Sequence, residues 1–477
     1  MKILFVISEV EDIIKTGGLA DVGKALPIAL SKLGHEVKIV MPFYKQVEKE
    51  FDLIDASPNQ VLYINNETYS YKIKELDFHG IKTYLIDHPY FSQAESPYAD
   101  ETLATNAQRF AFLSLASLHT SIFLDFKPDI MHCNDWHTAL TPYFMHSDYL
   151  TRNGISQQAD FFENTKSVIT LHNAAFQGVE SLNNVPLLST TDYHHIYIDN
   201  HHVNMLRTGI LFSSKVCPVS PTYAKEITSH LGSHGVSDVI NQAPSKVVGV
   251  LNGCDYTQWN PKTDSLIPTN YSVDDLSGKY ECKAALQNYA GLPKLKKTPV
   301  IGMVCRATQQ KGFGFLVPIL NEFLRHKVQF VIMGTGDPLI TNKLTSVAEN
   351  HPDQFSFIEA FKPELAHLIE AGSDFFLMPS EFEPCGLNQM YSLAYGTLPI
   401  VRNVGGLADT VVDVKYDNSN GFAFDEPSEL ALLSTLRNAL LSYQESPTLI
   451  KNMIKRGMQS KFTWETAAEA YEKVYFS

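Results

Sequence analysis

Residues Ile3-Leu4-Phe5-Val6-Ile7 form an unbroken apolar run. The chain then passes through Lys15-Thr16-Gly17-Gly18 into a segment with apolar residues at Leu19, Val22, Leu26, Leu30 and Leu33. The first run reads as a parallel strand buried on both faces, because a strand covered on one face would alternate. The second has helical spacing and is closed by Gly34, after which Val37-Lys38-Ile39-Val40-Met41 reads as another strand. Strand, helix and strand make a βαβ unit with a right-handed crossover.

Outward from this unit the alternation recurs. Asp129 to His132 and Ser167 to Leu171 are short strands ending in polar loops. Lys215 to Ser220 is another, followed by a helix opening at Pro221, a favourable first helical position. The segment from Leu53 to Asp100 alternates weakly and reads as hairpin strands. A second series begins near Pro299, with strands at Val300–Val304, Gln329–Met333, Phe375–Met378 and Leu398–Val401. Between the series, Asn260 to Lys297 is polar and rich in Pro, Asp and Lys. The expected fold is therefore α/β, with two Rossmann-like domains facing across a deep cleft. Residues 1–255 form the first domain, 256–297 a linker region and 298–460 the second domain. Over 461–477 a C-terminal helix is expected that can cross back to the first domain.

Composition narrows the function. The 477 residues are 44% hydrophobic and 19% charged, as in ordinary globular proteins, and no stretch is apolar enough to cross a bilayer. The opening run meets Ser8-Glu9 too soon for a signal peptide, so a cytoplasmic chain is expected. The six cysteines are scattered, which disfavours a zinc site or a disulfide framework. A formal charge of −14 lacks the basic footprint that a nucleic acid needs. An anionic small ligand would need a local positive site.

Three clusters supply candidates, each just after a strand, where open α/β sheets bind ligands. In Lys15-Thr16-Gly17-Gly18-Leu19-Ala20-Asp21-Val22, two glycines before a helix suit close approach of an anion, with Lys15 adding charge. Taken alone, a Gly-Gly pair before a helix is a weak signal, and a plain turn is the better reading of it. Arg306 and Lys311-Gly312 follow the strand ending at Val304 and fit either a diphosphate clamp or solvated surface cations. In Glu381-Phe382-Glu383-Pro384-Cys385-Gly386-Leu387-Asn388, Pro384 and Gly386 impose a tight turn. That turn leaves the N–H groups of Gly386, Leu387 and Asn388 free at a helix start. Glu383 there is a helix-capping acid or a ligand group.

Taken whole, these strings resemble the signatures of the bacterial glycogen synthase and plant starch synthase family. Further matches run nearly end to end: Asn134-Asp135-Trp136-His137-Thr138, His172-Asn173-Ala174-Ala175-Phe176-Gln177-Gly178, Leu251-Asn252-Gly253, Gly334-Thr335-Gly336-Asp337 and Gly405-Gly406-Leu407-Ala408-Asp409-Thr410. At Tyr391, eight residues past Glu383, many relatives of the fold carry a second glutamate holding ribose; tyrosine matches the glycogen and starch synthase pattern. The first strand starts almost at Met1, with no transit peptide, which speaks against a plant enzyme.

The resemblance implies a GT-B fold and retaining transfer of glucose from ADP-glucose to the non-reducing end of an α-1,4-glucan, with no metal or other cofactor and no nucleic-acid or membrane partner. It implies that Lys15, Arg306 and Lys311 stabilise the ADP leaving group and that Glu383 lies beside the donor glucose. His172, Asn252 and the backbone from Cys385 through Gly386 and Leu387 to Asn388 would hold sugar hydroxyls, and Asp135 would line the acceptor side. Thr16, Gly17 and Gly18 would meet the ligand, Asp21 would order their loop, and Phe361 would stack on adenine where tyrosine is common. His137 reads as structural. A metal site at His132, His137 and His172 has no supporting spacing, and His194-His195 and His201-His202 read as solvated. Rival readings are a sister transferase using UDP-glucose or another acceptor, and an inactive glucan-binding protein. Three departures lie in the first domain: Arg207 for a usual Lys, Gly235-Val236-Ser237-Asp238 for Gly-Leu-Glu/Asp, and no basic residue in Tyr90-Phe91-Ser92-Gln93. They leave acceptor preference open.

Overall fold

Continuous apolar runs become central parallel strands, and alternating runs become the antiparallel margin. A computed structural model describes every residue except 66, 95, 99–100, 148–149, 151–154, 156–159, 189–198 and 200; His194 and His195 lie outside the described residues. The chain divides into two units, Met1–Asn252 with Trp464–Ser477, and Gly253–Thr463.

In unit 1 the strands are β1 (Lys2–Val6), β2 (Glu36–Pro42), β3 (Ile54–Asp55), β4 (Gln60–Ile64), β5 (Glu67–Phe78), β6 (Ile81–Asp87), β7 (Ile130–Asn134), β8 (Lys166–Leu171), β9 (Val179–Ser181), β10 (His202–Asn204) and β11 (Lys215–Pro218). The main sheet runs β11-β8-β7-β1-β2-β6-β5-β3, with β4 also on β5; β9 and β10 pair separately. From β11 to β6 the pairing is parallel, and from β6 outward it is antiparallel. The weakly alternating segment thus forms the hairpin margin. Strand order reverses beside β1, because β2 follows on one side and β7 returns on the other. That reversal opens a crevice at the carboxyl ends of β1 and β7.

Unit 2 repeats the design with β12 (Val300–Val304), β13 (Gln329–Met333), β14 (Phe355–Ile358), β15 (Phe375–Met378), β16 (Leu398–Arg402) and β17 (Phe422–Phe424), in the order β14-β13-β12-β15-β16-β17, all parallel. Here the reversal falls between β12 and β15.

Residues 256–297 correct the expectation of a linker: they belong to unit 2. Their polar composition misleads because the lysines of the helix Ser277–Tyr289 are buried and anchored. The Lys279 ammonium donates to the carbonyls of Ala371 and Tyr395 and to Thr397 Oγ1, while Lys283 pairs with Asp374 at 2.6 Å. The C-terminal helix Trp464–Phe476 packs in unit 1, where the Tyr475 hydroxyl meets His132 Nδ1 at 2.7 Å and the Tyr471 hydroxyl meets Thr170 Oγ1 at 3.1 Å. His132 is consumed there, its Nε2 lying 2.8 Å from Thr170 Oγ1.

Candidate active site

On unit 1 the candidates gather at the carboxyl ends of β1, β7 and β8. Past β1 stands Glu9, buried, whose carboxylate accepts from the backbone N–H of Thr16 at 2.5 Å and from its hydroxyl at 2.8 Å. Burial raises its pKa against the pull of those bonds. Glu9 thereby ties the Lys15–Gly18 loop to the strand end. Sequence reasoning missed it; the available signal was an acid set directly after a two-faced buried strand.

The Lys15 ammonium is held by two acids, Glu11 at 2.7 Å and Asp21 at 2.8 Å. Desolvation works against its charge, but the two carboxylates outweigh it and its pKa rises. Burial lifts the Asp21 carboxyl to about 6 despite Lys15. Asp21 thus orders the loop through Lys15. Thr16, Gly17 and Gly18 are exposed at the start of the helix Gly18–Lys32, whose N-cap position makes no side-chain hydrogen bond.

After β7, Asp135 holds a strained backbone (φ 54°, ψ −172°) that non-glycine residues rarely adopt. Its Oδ1 accepts from the N–H groups of His172, at 2.8 Å, and Asn173, at 3.3 Å. Burial still pushes the carboxyl up to about 7. The His172 ring, pushed down to about 3 by burial, is neutral at physiological pH. His137 is packed among the rings of Trp136, Phe110 and Tyr98, a structural setting. Asn252 is buried, and its Oδ1 has no partner among the described residues. His202, at the start of β10, is exposed and faces Asp199 at 3.1 Å. No group of three or more His, Cys, Asp or Glu side chains suited to a metal occurs among the described residues.

On unit 2 the reversal between β12 and β15 juxtaposes the other two clusters. The Lys311 ammonium lies 2.6 Å from Glu383 Oε2, which also accepts from the Ser380 hydroxyl at 3.0 Å. Arg306 is exposed, and its guanidinium has no partner among the described residues. At Gly386 (φ 73°) the chain turns into the helix Asn388–Ala394, and the N–H groups of Gly386, Leu387 and Asn388 meet no acceptor among the described residues. Asn388 Nδ2 donates to the Val304 carbonyl, fixing this turn to β12. Gly405-Gly406 lies against its back. A Cβ at Gly405 would overlap the Glu383 carbonyl oxygen, and the Gly406 N–H donates to the Glu383 and Pro384 carbonyls. Cys385 is buried, whereas Phe361 presents its ring with 72% of its surface exposed. Tyr391 is buried against Trp259, rings 4.0 Å apart and nearly parallel, and Trp259 stacks in turn on His367.

Two units built on sheets that are parallel at their centres, each with charged groups gathered where its strand order reverses, have the architecture of the GT-B glycosyltransferases. Residues 2–242 match the family model for the starch synthase catalytic domain, and residues 288–457 that for glycosyl transferases group 1. The chain is 46% identical to the glycogen synthase of Aeromonas salmonicida and 47% identical to that of Vibrio parahaemolyticus, over 100% of this chain and 98% of each relative. Its fold is similar to the catalytic domain of starch synthase IV from Arabidopsis thaliana bound to ADP and acarbose (TM-score 0.89, 29% identity, 100% of this chain and 98% of that one). The sucrose-phosphate synthase of Thermosynechococcus elongatus, with a TM-score of 0.57 and 17% identity, shares the fold alone. The chain belongs to the glycogen and starch synthase family and is an enzyme that transfers glucosyl groups.

Proposed function

We propose that the chain works as a glycogen synthase that takes glucose from ADP-glucose, adds it with retention to the non-reducing end of an α-1,4-glucan, and releases ADP. The observation that carries this reading is the meeting of Lys311 and Glu383 at 2.6 Å, with the exposed guanidinium of Arg306, which has no partner among the described residues, on the same loop after β12 as Lys311. Arg306 and Lys311 hold the diphosphate and stabilise the charge that grows on it as the bond to glucose breaks. Glu383 orients the glucose and supports the positive charge developing at its anomeric carbon. Sugar hydroxyls are held by the N–H groups of Gly386, Leu387 and Asn388, which meet no acceptor among the described residues, within the turn that contains Cys385, and Phe361 offers adenine a stacking face.

Unit 1 supplies Lys15 as a further cation, the Thr16-Gly17-Gly18 loop, His172 and Asn252 for sugar hydroxyls, and Asp135 on the acceptor side. The acceptor hydroxyl attacks on the face that ADP leaves, and its proton passes to the departing phosphate oxygen. The three basic residues do the charge work, so this reaction uses no metal or other cofactor. The ADP-bound starch synthase at 29% identity supports an adenine donor. A cytoplasmic site of action fits six unpaired cysteines; no helix among the described residues is long and apolar enough to cross a membrane.

The test is to incubate purified protein with glycogen and either ADP-glucose or UDP-glucose, measuring nucleotide release and glucan growth. Preference for ADP-glucose with polymer growth is expected. Preference for UDP-glucose would replace the donor, and no turnover from folded protein would favour a glucan-binding role.

A further inference from the structure

The last residue of β7, Asn134, is fully buried, and its side chain bridges two other strand ends. Its Nδ2 donates to the Val6 carbonyl of β1 at 3.0 Å, and its Oδ1 lies 3.1 Å from His172 Nε2, just past β8. A carbonyl oxygen only accepts, so the amide nitrogen must face Val6; the flipped amide would set two oxygens against each other in a buried site. The amide oxygen therefore faces His172, and it too only accepts. Nε2 must then carry the imidazole hydrogen. A neutral imidazole has one such hydrogen, which leaves Nδ1 bare.

We infer that Asn134 is a positioning residue that locks His172 in the Nε2–H tautomer, so that the ring receives a hydroxyl hydrogen from the bound sugar on Nδ1 and donates none. The backbone N–H of His172, held by Asp135 Oδ1 at 2.8 Å, pins the other end of the residue. Two neighbouring residues of β7's carboxyl end thus fix, one the orientation and the other the hydrogen-bonding sense, of the same histidine. The sugar-facing part of this inference rests on the proposed function; the tautomer does not.

The test is nitrogen-15 NMR of the full chain labelled at its histidines, with His172→Gln identifying the resonance. The expected result is an Nε2–H tautomer between pH 6 and 8, a range chosen to span neutrality. Asn134→Ala should mix the tautomers and lower kcat for glucosyl transfer by about tenfold, the worth of one neutral hydrogen bond. Asn134→Asp keeps an acceptor at the same place but favours the imidazolium. It should hold the Nε2–H signal, lose transfer as pH falls, and regain it as pH rises. An Nδ1–H tautomer at His172 in the unmodified chain would overturn the inference even if neither Asn134 variant folds. So would an Asn134→Ala variant with wild-type kcat and an unmixed tautomer. Failure of the unmodified chain to turn over ADP-glucose, with the Nε2–H signal present, would instead remove the proposed donor.

Discussion

The ammonium of Lys311 stands 2.6 Å from the carboxylate of Glu383, although 72 residues separate them in sequence. The strand reversal between β12 and β15 makes the meeting possible, since each residue lies in the loop leaving one of those strands. The pair gives each group a counter-charge before any ligand arrives. With Glu383 removed, Lys311 keeps its reach toward phosphate and loses a competitor. Glu383→Ala should therefore bind ADP at least as tightly by calorimetry while transfer falls by roughly a hundredfold or more. Unchanged transfer would remove Glu383 from the mechanism.

Arg306 poses the opposite case, a cation with no partner among the described residues and no share in the core. Exposed substitutions away from packing and networks shift stability by about 0.5 kcal/mol at most. Arg306→Ala should leave the melting curve nearly unchanged and depress turnover sharply. Loss of folding would show that the arginine is structural and overturn its assignment to the diphosphate.

Much of this was legible in the sequence because the βα alternation is local. Strands such as Val300–Val304 are announced by their own apolar runs, and the reversal points follow once the order is known. Sites at strand ends were legible for the same reason. What could not be read is partnership across distance. Nothing in the sequence ties Glu9 to Thr16, and nothing distinguishes Lys279 and Lys283 from solvated lysines until the carbonyls and the Asp374 carboxylate that hold them are in place. Residues 256–297 consequently read as a linker. Tyr391 was legible as a departure from other families, but its burial against Trp259 required the fold.

Asp135 carries a cost that can be measured. Burial raises its carboxyl to about 7, whereas in the unfolded chain it ionises near about 4. Between those values the folded state keeps a proton that the unfolded state has lost, so this residue's contribution to stability falls as pH rises from about 4 to about 7. Asparagine cannot ionise, offers an oxygen to the same N–H groups of His172 and Asn173, and is among the residues that tolerate positive φ. Asp135→Asn should melt a few degrees higher than the unmodified chain at pH 8, and the difference should vanish near pH 4, while transfer declines. An equal difference at both pH values would contradict the burial argument.

Two departures from the family text turn out to be partners. Arg207 Nη1 lies 2.7 Å from both carboxylate oxygens of Asp238. The acid stands one position later than the family pattern has it, and arginine meets it with a longer side chain than the usual lysine. Asp238 is half exposed, so the coupling should be small. A double-mutant cycle with Arg207→Ala and Asp238→Ala should give about 0.5–1 kcal/mol. A value near zero would make the departures independent.

Gly17 offers the sharpest separation of fold from function. Its φ of −160° is extended backbone open to any residue, and a Cβ there would meet nothing within 4 Å among the described residues. The fold gives no reason for glycine at this position, yet it sits at the exposed start of the helix Gly18–Lys32 beside Lys15. A ligand pressed against the backbone would give that reason. Gly17→Ala at the N-cap should cost no more than about 1 kcal/mol of stability. It should nevertheless lower kcat/KM for ADP-glucose by roughly tenfold, as an added methyl group holds the substrate off the N–H groups of the loop. Melting and steady-state kinetics on the same preparation decide the matter. Unaltered kinetics would mean that no substrate touches this backbone, and a collapse of the melting temperature would mean that the glycine serves the fold.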